Sequence, residues 1–237
     1  MQQLIVALDV NTAAEAHALA DRLRDVVGAF KIGSQLFTSA GPRVVEDLAA
    51  RGDRVFLDLK FHDIPNTVAG AVAAATRLGA WMVNVHASGG RDMMRAAREA
   101  ADTTAASMML APPLVIAVTL LTSLDDAAMV EIGIAGPAAD RVERLAALAH
   151  DAGLDGVVAS PRETARLREQ RGDRFTIVTP GIRGAHDAKG DQARTLSGSD
   201  ALAAGATYLV VGRPIIAAPD PLAAAEAIAA SCRPAAP

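Results

Sequence analysis

Short apolar segments alternate with longer amphipathic segments from one end of the chain to the other. The short segments have the length of strands that are buried on both faces, and the longer ones show the three-to-four-residue spacing of helices that cover a sheet. The pattern predicts strands at residues 4–8, 29–32, 54–59, 81–86, 114–119, 156–159, 176–179 and 208–211. It predicts helices at residues 13–27, 34–51, 66–78, 90–101, 138–152, 161–171, 193–204 and 222–230.

Eight strand–helix units in 237 residues amount to about thirty residues per unit, which is typical of a (β/α)8 TIM barrel of the α/β class. A doubly wound open sheet is the alternative, but it usually has fewer strands, and no GxGxxG fingerprint follows the first strand. No change of composition divides the chain, so we expect a single TIM-barrel domain over residues 1–237 with a frayed tail at 233–237. Residues 102–113 are predicted to form a long loop with a short extra turn.

Composition excludes several classes of protein. Hydrophobic residues make up 51% of the chain and charged residues 21%, which provides a large core and excludes a disordered chain. The net charge of -4 offers no basic excess for phosphate backbones, so no nucleic-acid partner is expected. The first residues read as a strand rather than a signal peptide, and no apolar run reaches the ~18 residues of a membrane span. We therefore expect a soluble, cytoplasmic protein without a membrane partner.

Lysine is rare in this chain. All but three of its 23 basic residues are arginines, and the exceptions are Lys31, Lys60 and Lys189. An alanine- and arginine-rich composition explains why lysines are scarce, but it does not explain why these three remain. Arginine stays protonated in proteins, whereas a lysine can give up a proton. Each remaining lysine is therefore a candidate for chemistry.

The third predicted strand ends in the most informative sequence of the chain, because active sites of such barrels lie at the carboxyl ends of the strands. Asp58 and Lys60 are two residues apart there, so their side chains share the inward face of a strand whose Leu57 and Leu59 point outward. A structural ion pair is one interpretation. Asp63 favours a catalytic role instead. Two carboxylates around one ammonium leave an excess of negative charge, which is unfavourable for stability but useful for holding the ammonium as a proton donor.

A second group of candidate residues follows the last two strands. Pro180-Gly-Ile-Arg183 comes after the seventh strand, and Gly212-Arg213 comes after the eighth. Phosphate sites of such barrels are built from these two loops, where glycines let backbone N–H groups approach the anion and arginines clamp it. Two ordinary surface arginines are the other interpretation, but their position at one rim favours a phosphate site.

The remaining candidates carry weaker signals. His86 ends the fourth strand and is either a base or a histidine at the edge of the core, while His62 is expected on the surface. No spacing of His, Cys, Asp or Glu predicts a transition-metal site, and the lysine between Asp58 and Asp63 would compete with Mg2+. The single cysteine, Cys232, excludes an intramolecular disulfide. No metal is therefore expected.

The motif Asp58-x-Lys60-x-x-Asp63-Ile-Pro-x-Thr67 resembles the orotidine 5'-phosphate decarboxylase family in its short bacterial form. Further matches are Leu8-Asp9, Lys31, Thr179-Pro-Gly-Ile-Arg183, Gly190-Asp-Gln192 and Gly212-Arg213-Pro-Ile. The resemblance implies a carboxy-lyase that converts orotidine 5'-monophosphate (OMP) into uridine 5'-monophosphate (UMP), the last step of de novo pyrimidine synthesis, without metal or organic cofactor. It also implies a homodimer with active sites shared across the interface.

The resemblance further implies a role for each candidate residue. Lys60 would donate the proton to C6 of the pyrimidine, Asp58 would face the departing carboxylate, and Lys31 with Asp63 of the partner subunit would complete the charge array. The loop at 184–192 would close as a lid. The residues implied to bind the substrate are Asp9, Lys31, Asp58, Ile64, Thr67, Thr122, Ser123, Pro180, Arg183, Gln192, Gly212 and Arg213. Either Thr122 or Ser123 would contact the pyrimidine.

Two other functions would share part of this set of residues. A sugar-phosphate decarboxylase or hexulose-phosphate synthase of the same superfamily would share the DxKxxD motif but depend on Mg2+. Such enzymes are similar to one another in having an acidic metal ligand where this chain has Lys31. A barrel that only binds a phosphate ligand would not need a lysine flanked by two carboxylates.

Overall fold

The chain folds into a closed barrel of eight parallel strands, as the sequence predicts. A computed structural model describes residues 1–182 and 197–232. The strands are β1 (Leu4–Ala7), β2 (Ala29–Gly33), β3 (Val55–Phe61), β4 (Met82–His86), β5 (Leu114–Val118), β6 (Gly156–Val158), β7 (Thr176–Pro180) and β8 (Tyr208–Val211). Each strand pairs with its neighbours in chain order, and β8 pairs with β1 to close the barrel. The predicted (β/α)8 architecture is confirmed.

Helices cover the outside of the barrel between successive strands. Those in the described residues are α1 (Ala13–Leu23), α2 (Ser34–Ala40), α3 (Arg43–Ala50), α4 (Pro65–Arg77), α5 (Arg91–Ser107), α6 (Asp126–Glu131), α7 (Ala138–Asp151), α8 (Pro161–Arg171), α9 (Gly198–Ala203), α10 (Arg213–Ile216) and α11 (Pro221–Ser231). The first of them begins with a capping box, in which Thr12 accepts from the N–H of Glu15 and the Glu15 carboxylate accepts from the N–H of Thr12. These bonds satisfy two N–H groups that a helix start leaves without partners.

The helix predicted at 34–51 is two helices, α2 and α3, in the structure. The chain breaks between them at Gly41, whose φ is +74°, and at Pro42. Proline lacks the N–H that would continue the helix, and glycine takes a positive φ at little cost. The continuous amphipathic pattern over 34–51 therefore covers two helices and the turn between them.

The segment at 102–113, predicted as a long loop with a short extra turn, is helical in its first half, and a turn follows at Met108 and Met109. Helix α5 continues to Ser107 because Ala101, Thr104 and Ala105 extend the face that Met93, Met94 and Ala97 bury. The short helices α6 and α10 were not predicted from the sequence. For the helix predicted at 193–204, the described part is α9, and residues 193–196 lie outside the described residues.

Side chains of the strands alternate between two apolar layers. The inner layer fills the barrel with Ile5, Ala7, Ala29, Phe56, Met82, Ile116, Val178 and Val210. The outer layer packs against the helices and includes Leu57 and Val83, while Leu59 is partly buried against it. Because both faces of the strands are covered, the strands read as nearly continuous apolar runs.

The predicted boundaries of a single domain stay a prediction, and the tail at 233–237 lies outside the described residues. In residues 1–182 and 197–232, no helix has both the length and the apolar character that a membrane crossing needs.

Candidate active site

A cavity of about 310 Å³ opens at the carboxyl ends of the strands. The apolar layer inside the barrel forms its floor, because Ala7, Phe56 and Val178 belong both to that layer and to the cavity lining. The next inward position along each of the first three strands carries a charged side chain, since side chains two residues apart share a face. The predicted site residues that line the cavity are Asp9, Lys31, Asp58, Lys60, Thr122, Pro180, Gly212 and Arg213.

Carboxylates and ammonium groups alternate along one wall of this cavity. Lys31 Nζ lies 3.3 Å from Asp9 Oδ1 and 3.3 Å from Asp58 Oδ2. The other oxygen of Asp58, Oδ1, accepts a hydrogen bond of 2.7 Å from Lys60 Nζ. Asp58 is therefore held between two cations that come from neighbouring strands.

These contacts determine the charge of Asp58. Burial alone would raise the pKa of Asp58, but the charges of Lys31 and Lys60 and the hydrogen bonds from Lys60 and Asn84 hold that pKa below its ordinary value. The side chain of Asp58 is 12% exposed, whereas that of Lys60 is 38% exposed. Asp58 is thus a fixed anion in the wall, and Lys60 is the cation that a bound molecule can reach.

The register in which β3 pairs with β4 shifts next to this charge array. Leu57 pairs with Val83, but Phe61 pairs with Val85. Residues 58–60 of β3 therefore stand opposite the single residue of β4 between those two partners, Asn84. Such bulges occur next to active sites, where they redirect a side chain.

Lys60 lies within this bulge and has a φ of +53°. That left-handed conformation is uncommon for any residue with a side chain, and lysine has no short polar group that would stabilise it locally. Asp58 and Lys60 do meet in the cavity, as the sequence predicts. They meet through a bulge with an unusual backbone, however, and not through the regular alternation of a strand.

Asn84 is a residue of the site that the sequence analysis missed. It is fully buried inside the barrel. Its amide Nδ2 donates to Asp58 Oδ1 at 2.6 Å, and its Oδ1 accepts from the backbone N–H of Lys60 at 2.8 Å. The available signal was a lone amide in the otherwise apolar run before His86, on the face that the strand turns inward.

Gly33 is a second missed residue, two positions after Lys31 on β2. A Cβ atom at position 33 would lie 3.0 Å from Lys31 Nζ and 3.5 Å from Asp9 Oδ1. The absence of a side chain therefore leaves the space that the Lys31 ammonium occupies between its two carboxylates.

The predicted phosphate residues fall into two groups. Pro180, Gly212 and Arg213 line the cavity at the ends of β7 and β8, as predicted. Arg183, Gln192 and the predicted lid at 184–192 lie outside the described residues. On the neighbouring rim, Thr122 lines the cavity, while Ser123 is exposed and is not part of the lining.

Asp63, Ile64 and Thr67 are exposed and do not belong to the cavity lining of their own chain. The carboxylate of Asp63 turns back to its own backbone, where Oδ1 accepts from the N–H of Ile64 at 2.6 Å. Ile64 is 66% exposed, which is unusual for a large apolar side chain. Within one chain, therefore, the second half of the motif does not reach the charge array.

His62 and His86 lie together at a second, mostly apolar cavity of about 380 Å³. Their ring centroids are 5.2 Å apart. Burial lowers the pKa of His86, and the neighbouring charges of His62 and Lys60 lower it further, against an opposing effect of Asp58. His86 is half-buried, and its lowered pKa favours the neutral form, whereas His62 is exposed, as predicted.

The described residues contain no group of three or more His, Cys, Asp or Glu side chains arranged to hold a metal ion. The two acids among the described residues that line the cavity, Asp9 and Asp58, both contact the ammonium of Lys31. A divalent cation at that point would meet a positive charge instead of free oxygen ligands.

Comparisons of the sequence and of the fold with known proteins find the same family. The model of the orotidine 5'-phosphate decarboxylase / HUMPS family matches residues 2–228. An orotidine 5'-phosphate decarboxylase of Alkalilimnicola ehrlichii is 60% identical over 222 residues, which cover 94% of this chain and 92% of that protein. Another from Moorella thermoacetica is 55% identical over 229 residues, which cover 96% of this chain and 91% of that protein.

The fold comparison covers nearly the same range. The crystal structure of orotidine 5'-phosphate decarboxylase from Lactobacillus acidophilus is similar to this chain with a TM-score of 0.87 at 38% sequence identity. The match covers 99% of this chain and 100% of that one. The two chains therefore share the barrel fold over nearly their whole length.

Proposed function

The chain belongs to the orotidine 5'-phosphate decarboxylase / HUMPS family and decarboxylates OMP to UMP, and we propose that Lys60 supplies the proton that replaces the carboxylate. The observation that carries the proposal is the contact of 2.7 Å between Lys60 Nζ and Asp58 Oδ1 in the cavity wall. It places the more exposed ammonium of the charge array next to a fixed carboxylate.

The reaction breaks the bond between C6 of the pyrimidine and the carboxylate carbon. CO2 leaves, the electron pair stays on C6, and C6 then takes a proton from the Lys60 ammonium. The ring offers no evident sink for this electron pair, so stabilisation by fixed charges has to supply most of the catalysis. The ammonium of Lys60 favours the developing negative charge, and it returns to the protonated state by taking a proton from water.

Asp58 favours the same step by acting on the substrate carboxylate. A buried anion beside the substrate carboxylate repels that carboxylate, and the repulsion disappears when CO2 leaves uncharged. The paired ammonium groups of Lys31 and Lys60 keep Asp58 ionised at neutral pH. The binding energy of the remote phosphate compensates for the unfavourable approach of two anions.

We assign the rest of the substrate to the rim of the cavity. Asp9 and Lys31 meet the ribose, and Thr122 rather than Ser123 meets the pyrimidine, because Thr122 lines the cavity. Gly212 and Arg213 hold the phosphate together with Arg183 and Gln192. An added Cβ at Gly212 would lie 3.4 Å from Ala7 Cβ and from Asp9 Oδ2, so Gly212 lies beside Asp9 at the rim of the cavity that both residues line.

We further propose that two copies of the chain form a homodimer with shared active sites. In this arrangement Asp63, Ile64 and Thr67 of one subunit complete the site of the other. The proposal is supported by large apolar side chains that the single chain leaves exposed, among them Ile64 at 66%, Val130 at 69% and Ile132 at 59%. We also propose that the enzyme works in the cytoplasm, since phosphorylated nucleotides cross a bilayer only at a high energetic cost.

The proposed activity is tested by mixing the purified protein with OMP in the presence of EDTA and following the ultraviolet absorbance change as OMP becomes UMP. We expect full activity with EDTA. Activity that EDTA abolishes and Mg2+ restores would instead indicate the magnesium-dependent type of enzyme. Binding of UMP without any turnover of OMP would indicate a barrel that only binds phosphate ligands.

The shared site is tested by mixing two inactive variants, Lys60→Ala and Asp63→Ala. When equal amounts are unfolded and refolded together, random pairing makes about half of the dimers mixed. One site of each mixed dimer then carries both substitutions and the other carries neither, so about one site in four is wild type. We expect about a quarter of wild-type activity to return.

If Asp63 served its own chain, every site would carry one substitution, and refolding would restore nothing. Mass spectrometry of the intact dimers provides the control, because it shows whether mixed dimers have formed. Mixed dimers without activity would refute the shared site while leaving the barrel and its reaction unaffected.

A further inference from the structure

Asn84 is the one residue of β4 that stands opposite the bulge in β3. Its side chain points into the barrel, directly above the apolar layer to which Met82 of the same strand belongs. A buried amide lowers stability unless its donor and acceptor are both satisfied. Both are satisfied here, and both partners belong to the charge array.

The acceptor of Asn84 holds the backbone of Lys60. The register between β3 and β4 shifts at the bulge, and there the Lys60 N–H donates to the side-chain Oδ1 of Asn84 at 2.8 Å. This bond fixes a residue whose φ is +53°. Unusual backbone conformations of this kind persist only where the surroundings hold them.

The donor of Asn84 holds the carboxylate of Asp58. Asp58 Oδ1 accepts from Asn84 Nδ2 at 2.6 Å and from Lys60 Nζ at 2.7 Å. One amide therefore fixes the main chain of the lysine and the carboxylate that the ammonium of the same lysine contacts. Asn84 is fully buried and does not line the cavity, so it has no direct contact with a substrate.

We infer that Asn84 is a positioning residue that sets the place of the Lys60 ammonium relative to Asp58 and thereby the rate of proton delivery. The inference rests on the proposed role of Lys60. It adds a dependence on the β3 bulge: without the amide, Lys60 relaxes toward an ordinary strand conformation and its Nζ moves away from the reacting carbon. A misplacement of about 1 Å in an active site can lower the rate about a hundredfold.

Two substitutions test the inference. Asn84→Ser keeps a polar group but is too short to span both partners, and Asn84→Leu keeps the branched shape but loses both hydrogen bonds. For each we expect kcat on OMP to fall about 100-fold. The KM for OMP and the Kd for UMP, measured by calorimetry, should stay within about twofold, because the phosphate and pyrimidine contacts lie elsewhere.

Val83→Ala is the matched control. Val83 is the preceding residue of β4, is fully buried and packs outward against the helices. Its truncation should lower the unfolding midpoint in urea but leave kcat unchanged. If Asn84→Leu does not fold, the less disruptive Asn84→Ser decides the question, with circular dichroism confirming its fold.

A crystal structure of Asn84→Ser gives a readout that a purely stabilising role would not move. We expect Lys60 to leave the left-handed region and its contact with Asp58 to lengthen. A kcat close to wild type would overturn the inference. So would a loss of kcat while Lys60 keeps its backbone conformation and its contact with Asp58, since Asn84 would then act by another route.

Failure of the proposed function would look different. In that case Lys60→Ala would retain turnover of OMP, whatever the Asn84 variants do. An inactive Lys60→Ala beside a fully active Asn84→Ser would leave the role of Lys60 standing and remove only the positioning role of Asn84.

Discussion

Replacing Lys31 by methionine tests whether the charge array also stabilises the fold. Methionine has about the length of the lysine stem, so Lys31→Met removes the ammonium and keeps most of the packing. The substitution leaves Asp9 and Asp58 without the cation that lies 3.3 Å from each of them. Asp58 keeps its contacts with Lys60 and Asn84.

The expected loss of stability follows from these distances. Two unit charges 3.3 Å apart attract each other by about 5 kcal/mol at an effective dielectric constant of about 20. Desolvation of the nearly buried ammonium costs several kcal/mol and offsets much of that attraction. We expect Lys31→Met to lower the free energy of unfolding by about 3 kcal/mol at pH 7, as is typical when one partner of a buried ion pair is removed.

The effect of Lys31→Met should depend on pH in a definite direction. The folded-state pKa of Asp58 lies below its ordinary value of 3.8, so its ionised form stabilises the fold above that pH. This stabilisation is lost as the pH falls through the lowered pKa. The variant has less of it to lose, so the difference between the two proteins should shrink as the pH falls below about 4.

Urea unfolding of both proteins between pH 7 and pH 3, followed by circular dichroism, measures this difference. Arg22→Met is the control, because Arg22 contacts Asp220 at 3.0 Å but both side chains are more than half exposed. Such a surface pair contributes about 0–1 kcal/mol. If the loss in Lys31→Met were the same at every pH, lost packing rather than lost charge would explain it, and the electrostatic reasoning would be refuted.

Three further predictions concern single residues. Lys60→Ala should lower kcat at least about a thousandfold while UMP still binds, since it removes both the proton donor and the charge next to the reacting carbon; near-normal turnover would remove that role. Arg213→Ala should lower kcat/KM for OMP about 100-fold but hardly change it for the nucleoside without phosphate, and equal losses for both substrates would exclude phosphate recognition by Arg213. Burial lowers the pKa of His86 below 6.5, so the folded protein binds a proton there less readily than the unfolded chain and loses stability as the pH falls below about 6.5. His86→Gln should reduce this slope in urea unfolding from pH 7.5 to pH 5, and an unchanged slope would contradict the assignment.

Much of the fold could be predicted because it depends on local patterns. Buried parallel strands and the helices that cover them differ in length and in hydrophobic period, and both properties can be read from short windows of sequence. The predicted helix boundaries are wrong where the same stretch of sequence carries both a helical pattern and residues that are typical of turns or loops. Gly41 and Pro42 break an amphipathic period, and the polar residues after Ala101 conceal a helix whose buried face continues to Ala105.

The site could be predicted as far as it follows from position along the chain. In a barrel the residues after each strand meet at one rim, so Asp9, Lys31 and Asp58 were expected to lie together once the strands were recognised. Lys60 was also expected on the face that it occupies, although it reaches that face through the bulge and not through the alternation of a regular strand. The motif around Asp63 could be recognised as well, although a single chain leaves that residue outside the cavity.

The sequence by itself therefore determined the eight strand–helix units and the set of charged residues at their ends. The tertiary structure decided how those residues contact one another. The shifted register of β3 against β4, the positive φ of Lys60 and the two hydrogen bonds of Asn84 join positions that are 24 and 26 residues apart. No periodicity specifies such contacts, because they arise only when the closed barrel brings the two strands side by side and the bulge leaves a backbone N–H to be satisfied by a side chain.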